Sequence, residues 1–400
     1  MGLVDVGRIR QARELLAEVT RETPMEHARD LERQQGGPVH LKCENLQRTG
    51  SFKIRGAYHR IHALSAAERE RGVVAASAGN HAQGVALAAS LLGTKATVFM
   101  PQRAPLPKLA ATRGYGAEVH LHGGAIEETL AEATAFAERT GAVFIHPFDH
   151  PDIIAGQGTV GLEILEQLPE VGTVLVPTGG GGLVSGVACA VRALAPSVQV
   201  FAVQAAAAAG FPPSLAAGEP VRLEATPTMA DGIAVGRPGP LTLEHVRSLV
   251  DGVYTVTEES LSRAVLLCLE RRKLVVEPAG AAAVAALLEH PGTFTPPVVA
   301  VLSGGNVDPL LLLQIIQHGM TAGGRYLELR LLVPDRPGSL AGVLSKVSEL
   351  GANVLDVEHS RISGRLALGE VEVSLNLETR GAEHCLQVAT ELHHAGFTVL

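Results

Sequence analysis

The sequence is poor in aromatic residues and contains no tryptophan. Aromatic side chains make up 3% of its 400 residues, and the formal net charge is −8. Because nucleic-acid sites are built from basic surfaces and stacking rings, this composition argues against a nucleic-acid-binding protein. Charged residues account for only 18% and hydrophobic residues for 46%, which argues against a disordered chain and predicts a substantial folded core.

Cysteine and long apolar runs are also scarce. The scattered cysteines, with no CxxC pair, are Cys43, Cys189, Cys268 and Cys385. This spacing disfavours a zinc site or a disulfide framework, so we expect no bound metal. No apolar run approaches the roughly 18 residues of a membrane helix. The N-terminus also lacks the basic and apolar regions of a signal peptide, and we therefore expect a soluble cytoplasmic protein.

Between residues 72 and 306, short apolar segments alternate with segments of helical pattern. The predicted strands are 72–77, 97–100, 143–146, 173–177, 198–203 and 298–302, and the predicted helices are 82–92, 127–139, 159–167 and 183–194. This alternation predicts an α/β fold with a mostly parallel sheet that helices cover on both faces. Such sheets bind ligands at the carboxyl ends of their strands.

The pattern changes near residues 319–324, which read Gly-Met-Thr-Ala-Gly-Gly and are typical of a linker. Beyond them, apolar residues alternate along 327–333 and 371–377, and helical patterns cover 339–350 and 382–394. The order strand, helix, strand, strand, helix, strand predicts a ferredoxin-like α+β domain. We expect a main domain at 1–320 with a smaller subdomain at about 45–151, a linker at 321–325 and a second domain at 326–400.

Three loops follow predicted strands. Residues 178–183, Thr-Gly-Gly-Gly-Gly-Leu, offer backbone N–H groups and a helix N-terminus to a phosphate, although a tight turn is the alternative. Residues 77–84, Ser-Ala-Gly-Asn-His-Ala-Gln-Gly, could hold a carboxylate, or Ser77 could simply cap a helix. Residues 303–306, Ser-Gly-Gly-Asn, could equally form a plain turn. Dinucleotide spacing and a Walker lysine are both missing from the glycine loop.

Lys53 lies between Phe52 and Ile54, just ahead of a helical stretch. Most lysines are solvated surface charges, but partial burial would lower the pKa of this amine and make it a nucleophile. Together with the phosphate loop, the carboxylate loop and the hydroxyl of Ser303, it describes a site for pyridoxal phosphate that carries an amino acid.

These motifs resemble those of the fold type II pyridoxal-phosphate enzymes, and in particular the threonine dehydratases (threonine ammonia-lyases). The resemblance rests on Ser-Phe-Lys at 51–53 and the three loops above, in that order, and it extends through the whole chain. Supporting stretches are 42–45, 146–151, 154–159, 230–232 and 277–280. It implies two open, twisted α/β subdomains. Residues 334–340, Pro-Asp-Arg-Pro-Gly-Ser-Leu, and 351–354 resemble an ACT domain, a regulatory module that binds amino acids.

The resemblance also implies a role for each matching residue. Lys53 would bind the cofactor covalently and later move the substrate α-proton, while Phe52 would pack on the ring. Asn80 would bind the ring 3-hydroxyl oxygen, and Ser303 would face the ring nitrogen. The phosphate would be held by Gly179, Gly180, Gly181, Gly182 and Leu183. The substrate carboxylate would be held around Ser77, Ala78, Asn80 and His81. Glu277 would lie near the ring, with no role that the resemblance assigns.

The implied reaction removes water and then ammonia from L-threonine, giving 2-oxobutanoate, and converts L-serine to pyruvate. A serine rather than a carboxylate at position 303 would leave the ring nitrogen unprotonated and favour elimination over transamination. The ACT resemblance implies allosteric control by an amino acid, with isoleucine as the expected effector. It also implies a homodimer or homotetramer.

Two other functions fit parts of the pattern. The first is a serine dehydratase or racemase on the same fold, but racemases commonly carry a serine where this chain has Ala78. Those relatives also often bind a divalent cation, and the matching positions here, Gln204 and Gly210, supply no carboxylate. The second is a non-catalytic amino-acid sensor, against which the intact lysine and all three loops argue.

Overall fold

The structure, a computed structural model, describes residues 2–361 and 366–400. Backbone contacts divide the chain into two compact units, Met1–Leu312 and Leu313–Leu400. The boundary falls within a helix, Pro309–Ala322, so the predicted linker at 321–325 overlaps the last helical turn. Among the described residues, none of the helices is both long and apolar enough to cross a membrane.

The first unit alternates strands and helices, as the sequence predicts. Its elements are α1 (Val6–Leu16), β1 (Met25–His27), α2 (Arg29–Gln35), β2 (Val39–Lys42), α3 (Lys53–His62), α4 (Ala66–Arg71), β3 (Val73–Ala76), α5 (Asn80–Leu91), β4 (Ala96–Met100), α6 (Leu106–Gly114), β5 (Glu118–Leu121), α7 (Ile126–Thr140), β6 (Val143–Phe144), α8 (Pro151–Gln167), β7 (Thr173–Pro177), α9 (Gly182–Leu194), β8 (Gln199–Ala205), α10 (Phe211–Ala217), α11 (Pro240–Leu249), β9 (Gly252–Val256), α12 (Glu258–Leu267), α13 (Pro278–Glu289) and β10 (Val298–Val301), followed by α14 (Pro309–Ala322) across the boundary.

Two sheets organise this unit. The larger has six strands in the order β1-β2-β10-β7-β8-β9, all parallel except β1. The smaller has four parallel strands in the order β5-β4-β3-β6. Strands such as β7 and β10 are almost wholly apolar and fully buried, because helices cover both faces of a parallel sheet.

Several elements differ from the sequence-based expectation. The strands β1, β2, β5 and β9 were not predicted, because they are short or partly exposed and lack a continuous apolar run. Helix α8 begins at Pro151, eight residues before the predicted start at 159. Proline suits the first position of a helix, and the side chain of His150 caps it by accepting the N–H of Asp152.

The second unit has the predicted strand and helix order. Its elements are β11 (Tyr326–Pro334), α15 (Ser339–Glu349), β12 (Asn353–Ser360), β13 (Glu370–Glu378), α16 (Ala382–His394) and β14 (Thr398–Val399). They form an antiparallel sheet in the order β12-β13-β11-β14. The alternating residues Leu331 and Val373 pair directly across β11 and β13 and are fully buried. Val343 and Val388 of the two helices complete this core.

Candidate active site

Lys53 is the first residue of α3, and its amine points toward the segment that follows β6. Its Nζ donates a hydrogen bond to the carbonyl oxygen of Pro147 at 2.9 Å and lies 5.1 Å from the centre of the Phe52 ring. Burial lowers the pKa of Lys53 to about 8, although the nearby Glu277 carboxylate opposes this shift. The amine is therefore partly neutral near physiological pH, as a nucleophile and base must be.

Backbone hydrogen bonds tie the lysine segment to the loop after β10. Ser51 and Gly304 form an isolated antiparallel bridge, and the N–H of Phe52 donates to the Ser303 carbonyl oxygen at 3.3 Å. The N–H of Gly305 donates in turn to Gly50 at 2.9 Å. Ser303 itself is only 4% exposed, and its hydroxyl makes no hydrogen bond to any residue that the structure describes. The structure thus holds the buried residue Ser303 against the backbone of the lysine segment.

The loop between β3 and α5 contains the predicted carboxylate site. The Ser77 hydroxyl accepts the N–H of Gly79 at 3.1 Å, which folds the loop back on itself. The His81 ring bonds the carbonyl oxygen of Ile145 at 2.8 Å, and burial lowers the pKa of His81 to about 3. The ring is therefore neutral and engaged, which leaves the His81 backbone N–H for a carboxylate. The half-buried Ala78 contributes only a methyl group.

Asn80 connects this loop to two other parts of the site. Its Nδ2 donates to Glu277 Oε1 at 2.5 Å, and its Oδ1 accepts a hydrogen bond from Asn306 at 2.7 Å. Asn306 also donates to the carbonyl oxygen of Thr49, close to the lysine segment. One Nδ2 hydrogen of Asn80 is left for a ligand, because an amide nitrogen carries two.

The four glycines form a loop against Phe148. A β-carbon built on Gly182 would lie 3.0 Å from Phe148 Cα, and one on Gly180 would overlap the Phe148 ring. Gly181 has φ 92°, a backbone conformation that favours glycine. Among the described residues, none accepts a hydrogen bond from the N–H groups of 179–183, which lead into the first turn of α9. Because Phe148 follows Pro147, the glycine loop and the Lys53 amine contact neighbouring residues of the same short segment.

Glu277 is the functional candidate to which the sequence assigned no role. It precedes α13, is 3% exposed and accepts the hydrogen bond from Asn80. Burial raises the pKa of Glu277 to about 7, and the negative charge of Asp231 adds to that shift. A buried carboxyl that can hold a proton at neutral pH beside a lysine is typical of active sites.

We expect the stability of the cofactor-free protein to depend on pH through Glu277. Folding raises the pKa of this carboxyl above its usual value of 4.5. The stability that the protonated carboxyl contributes is therefore fully present below pH 4.5 and is lost as pH rises through 7. The difference corresponds to about 3 kcal/mol of unfolding free energy. Glu277→Gln should abolish this decline when denaturant unfolding is measured between pH 5 and 8. An unchanged slope in the variant would contradict the assignment.

An amide side chain occupies position 204, one of the two positions that the sequence resemblance matches to a cation site. Gln204 is buried, and its Oε1 accepts the N–H of Phe211 at 3.0 Å while its Nε2 donates to Ala208 at 3.5 Å. These bonds close the turn Ala206–Ala208, which lies within the run of five alanines at 205–209. Among the described residues there is no group of three or more histidine, cysteine or acidic side chains that could hold a metal.

The residues present fit pyridoxal phosphate. Free N–H groups at a helix N-terminus suit its phosphate, and the partly buried Lys53 amine suits its aldehyde carbon. The unpaired Ser303 hydroxyl and the remaining Asn80 hydrogen suit the polar atoms of its ring. The structure therefore brings together residues that would suit this cofactor.

Comparison with known proteins is consistent with this geometry. Residues 16–304 match the family described as pyridoxal-phosphate dependent enzyme, and residues 328–393 match the ACT domain. The L-threonine ammonia-lyase of Thermotoga maritima is 46% identical over 397 residues, which is 99% of either chain. A processed threonine deaminase isoform from Solanum lycopersicum has a TM-score of 0.75 at 37% identity, covering 79% of this chain and 90% of that one. Maize serine racemase has a TM-score of 0.74 at 38% identity, covering 78% and 97%.

Proposed function

The chain belongs to the pyridoxal-phosphate dependent enzyme family, and on that premise we propose that it removes water and then ammonia from L-threonine, releasing 2-oxobutanoate. The name of one relative supports this substrate, because the protein that is 46% identical over nearly the whole of both chains is an L-threonine ammonia-lyase. The observation that carries the chemistry is the hydrogen bond of the Lys53 amine, with its lowered pKa, to Pro147, the residue before the Phe148 that packs against the glycine loop.

The proposed mechanism uses this chain's residues to bind, orient and move a proton. The chemistry that pyridoxal phosphate would supply when bound is withdrawal of electrons from the substrate α-carbon, which makes the α-proton removable. Lys53 Nζ would take that proton and, as an ammonium, would return it to the β-hydroxyl, so that the hydroxyl leaves as water. The enamine that results tautomerises to an imine, and hydrolysis of the imine gives 2-oxobutanoate and ammonia. The net change is therefore threonine to keto acid plus ammonia, with one water lost and one regained.

The other site residues orient the reacting groups in this proposal. The N–H groups of Gly179, Gly180, Gly181, Gly182 and Leu183 would hold the cofactor phosphate. Phe52 would pack on the ring, Asn80 would donate its remaining hydrogen to the ring oxygen, and Ser303 would face the ring nitrogen. A hydroxyl does not protonate that nitrogen as a carboxylic acid would, which favours elimination. The backbone of 77–81, with the Ser77 hydroxyl, holds the substrate carboxylate.

The same site should act on L-serine, and Ala78 determines the products that we expect. Racemisation needs a second base on the opposite face of the substrate, and a methyl group cannot accept a proton. Incubation with L-serine should therefore give pyruvate and almost no D-serine, measured by chiral chromatography alongside a keto-acid assay. D-serine that forms as fast as pyruvate would favour the alternative function of a serine racemase. The similarity to maize serine racemase is the observation that supports this alternative.

We further propose that the ACT domain binds an amino-acid effector, with isoleucine as the first candidate. The turn between β11 and α15 offers a helix N-terminus with Gly338 at φ 92°. Arg361 pairs with Asp335 at 3.1 Å beside this turn, and both side chains are substantially exposed. These groups match the carboxylate and ammonium of an amino acid. We propose that the exposed edge strand β12 pairs with a second copy in a homodimer or homotetramer.

A further inference from the structure

An ion pair outside the predicted site joins the parts of the first unit that carry its two sheets. Lys108 of α6, which follows β4 of the smaller sheet, donates from Nζ to Asp231 Oδ2 at 2.6 Å. Asp231 lies between α10 and α11, in the part that carries the larger sheet. The lysine side chain is 10% exposed and the aspartate side chain 54%. A buried lysine is rare, and it requires an anionic partner.

The ammonium of Lys108 lies against the carboxylate loop. A β-carbon built on Gly79, at the centre of that loop, would lie 3.9 Å from Lys108 Nζ. The turn that begins at Asp231 contacts two further parts of the site. A β-carbon on Gly232 would lie 3.4 Å from Glu277 Oε1, and one on Gly179 would lie 2.9 Å from Ile233 Cα. The pair therefore lies among the carboxylate loop, Glu277 and the glycine loop.

The carboxylate loop otherwise lacks positive charge. Its donors are backbone N–H groups and the Ser77 hydroxyl, and the His81 ring is neutral because burial lowers its pKa to about 3. In the proposed function Lys53 binds the cofactor and moves the α-proton, so it is not a partner for the carboxylate. An anionic carboxylate that leaves water for this cleft gains most from a charged donor.

We propose that Lys108 binds the α-carboxylate of the substrate amino acid, and that Asp231 holds its ammonium in place until the substrate arrives. This inference rests on the proposed function, since it names how that site recognises its substrate. The exposed Asp231 carboxylate can turn toward water when a second anion reaches the ammonium. Recognition by charge restricts the site to free amino acids and disfavours amides and esters.

The test uses the cofactor-loaded enzyme and ligands that cannot undergo elimination. L-Alanine and L-alaninamide are titrated while the visible absorbance of the bound cofactor is followed. Lys108→Met should weaken L-alanine binding by roughly 10- to 100-fold, the loss expected for a charged hydrogen bond, and leave L-alaninamide nearly unchanged. With L-threonine, KM should rise by a similar factor while kcat changes little.

Three further variants separate carboxylate binding from a purely structural clasp. Lys108→Arg keeps the positive charge and should therefore bind L-alanine better than Lys108→Met does. Asp231→Asn frees the ammonium and should bind L-alanine at least as well as the wild type. Lys95→Met removes an exposed lysine, paired with Glu118 on the same sheet, and should match the wild type.

Two results would overturn the inference. One is equal L-alanine affinity in Lys108→Met and the wild type. The other is equal loss for both ligands in Lys108→Met and Asp231→Asn, which is what a clasp between the two parts predicts. A wild-type enzyme that binds L-alanine but does not eliminate from threonine would refute the proposed function instead, and the alanine titrations would still decide the role of Lys108.

Discussion

Lys53→Ala should abolish the visible absorbance of the bound cofactor and lower the rate of threonine elimination by at least about 10³-fold. In the proposed mechanism both effects have one cause, because the amine that would hold the cofactor is also the base that would take the α-proton. Lys108 does not replace it easily, since its ammonium is paired with Asp231 before the substrate binds and, in our proposal, with the substrate carboxylate afterwards. The measurements are an absorbance spectrum of the purified variant and a keto-acid assay.

Lys95→Ala provides a control, because its side chain is 70% exposed. That variant should keep both the colour and the rate. Circular dichroism should show that Lys53→Ala is folded, since truncation of a partly exposed side chain at the start of α3 leaves the buried face of that helix intact. Near-normal elimination by a folded Lys53→Ala protein would remove this lysine from the mechanism.

A chain that ends at Met320 should keep elimination activity and lose its entire response to isoleucine. The cut retains nearly all of α14 and removes β11–β14 with their separate core, so the first unit keeps its own packing. Allosteric coupling is usually worth about 1–3 kcal/mol, or roughly 5- to 150-fold in affinity, and the whole of it should vanish. Initial rates with and without millimolar isoleucine measure the change.

Full-length Arg361→Gln serves as the matched variant, because it alters the exposed ion pair beside the proposed effector site and leaves the core intact. It should show a weakened isoleucine response with unchanged basal rate. Continued inhibition of the truncated chain would contradict the proposal. So would an intact enzyme that ignores isoleucine and every other amino acid tested.

Residues close together in the chain were the easiest to predict. The alternation of buried strands such as β7 and β10 with helices, and the antiparallel pattern of β11 and β13, follow directly from apolar periodicity. The polar, partly exposed strand β5 carries no such signal. The glycine loop and Lys53 were evident because their residue types are unusual for ordinary turns and surfaces.

Contacts between distant segments could not be read from the sequence. Lys108 and Asp231 are 123 positions apart, and each alone looks like an ordinary surface charge. The hydrogen bond between Asn80 and Glu277 spans 197 positions, so the role of Glu277 in the site depends on the folded chain. The expected part of His81 also changes, because its ring contacts Ile145 and only its backbone N–H remains for a carboxylate.

The bridge between Ser51 and Gly304 has a consequence for motion. The amide hydrogens of Phe52 and Gly305 are held by backbone bonds like those of a strand, so they should exchange with solvent deuterium slowly, unlike those of most loops. Their exchange should change little when substrate is added. The lysine segment therefore loses its conformational entropy when the protein folds and not when the substrate binds. Substrate binding energy is then not needed to order this segment and remains for the chemical step.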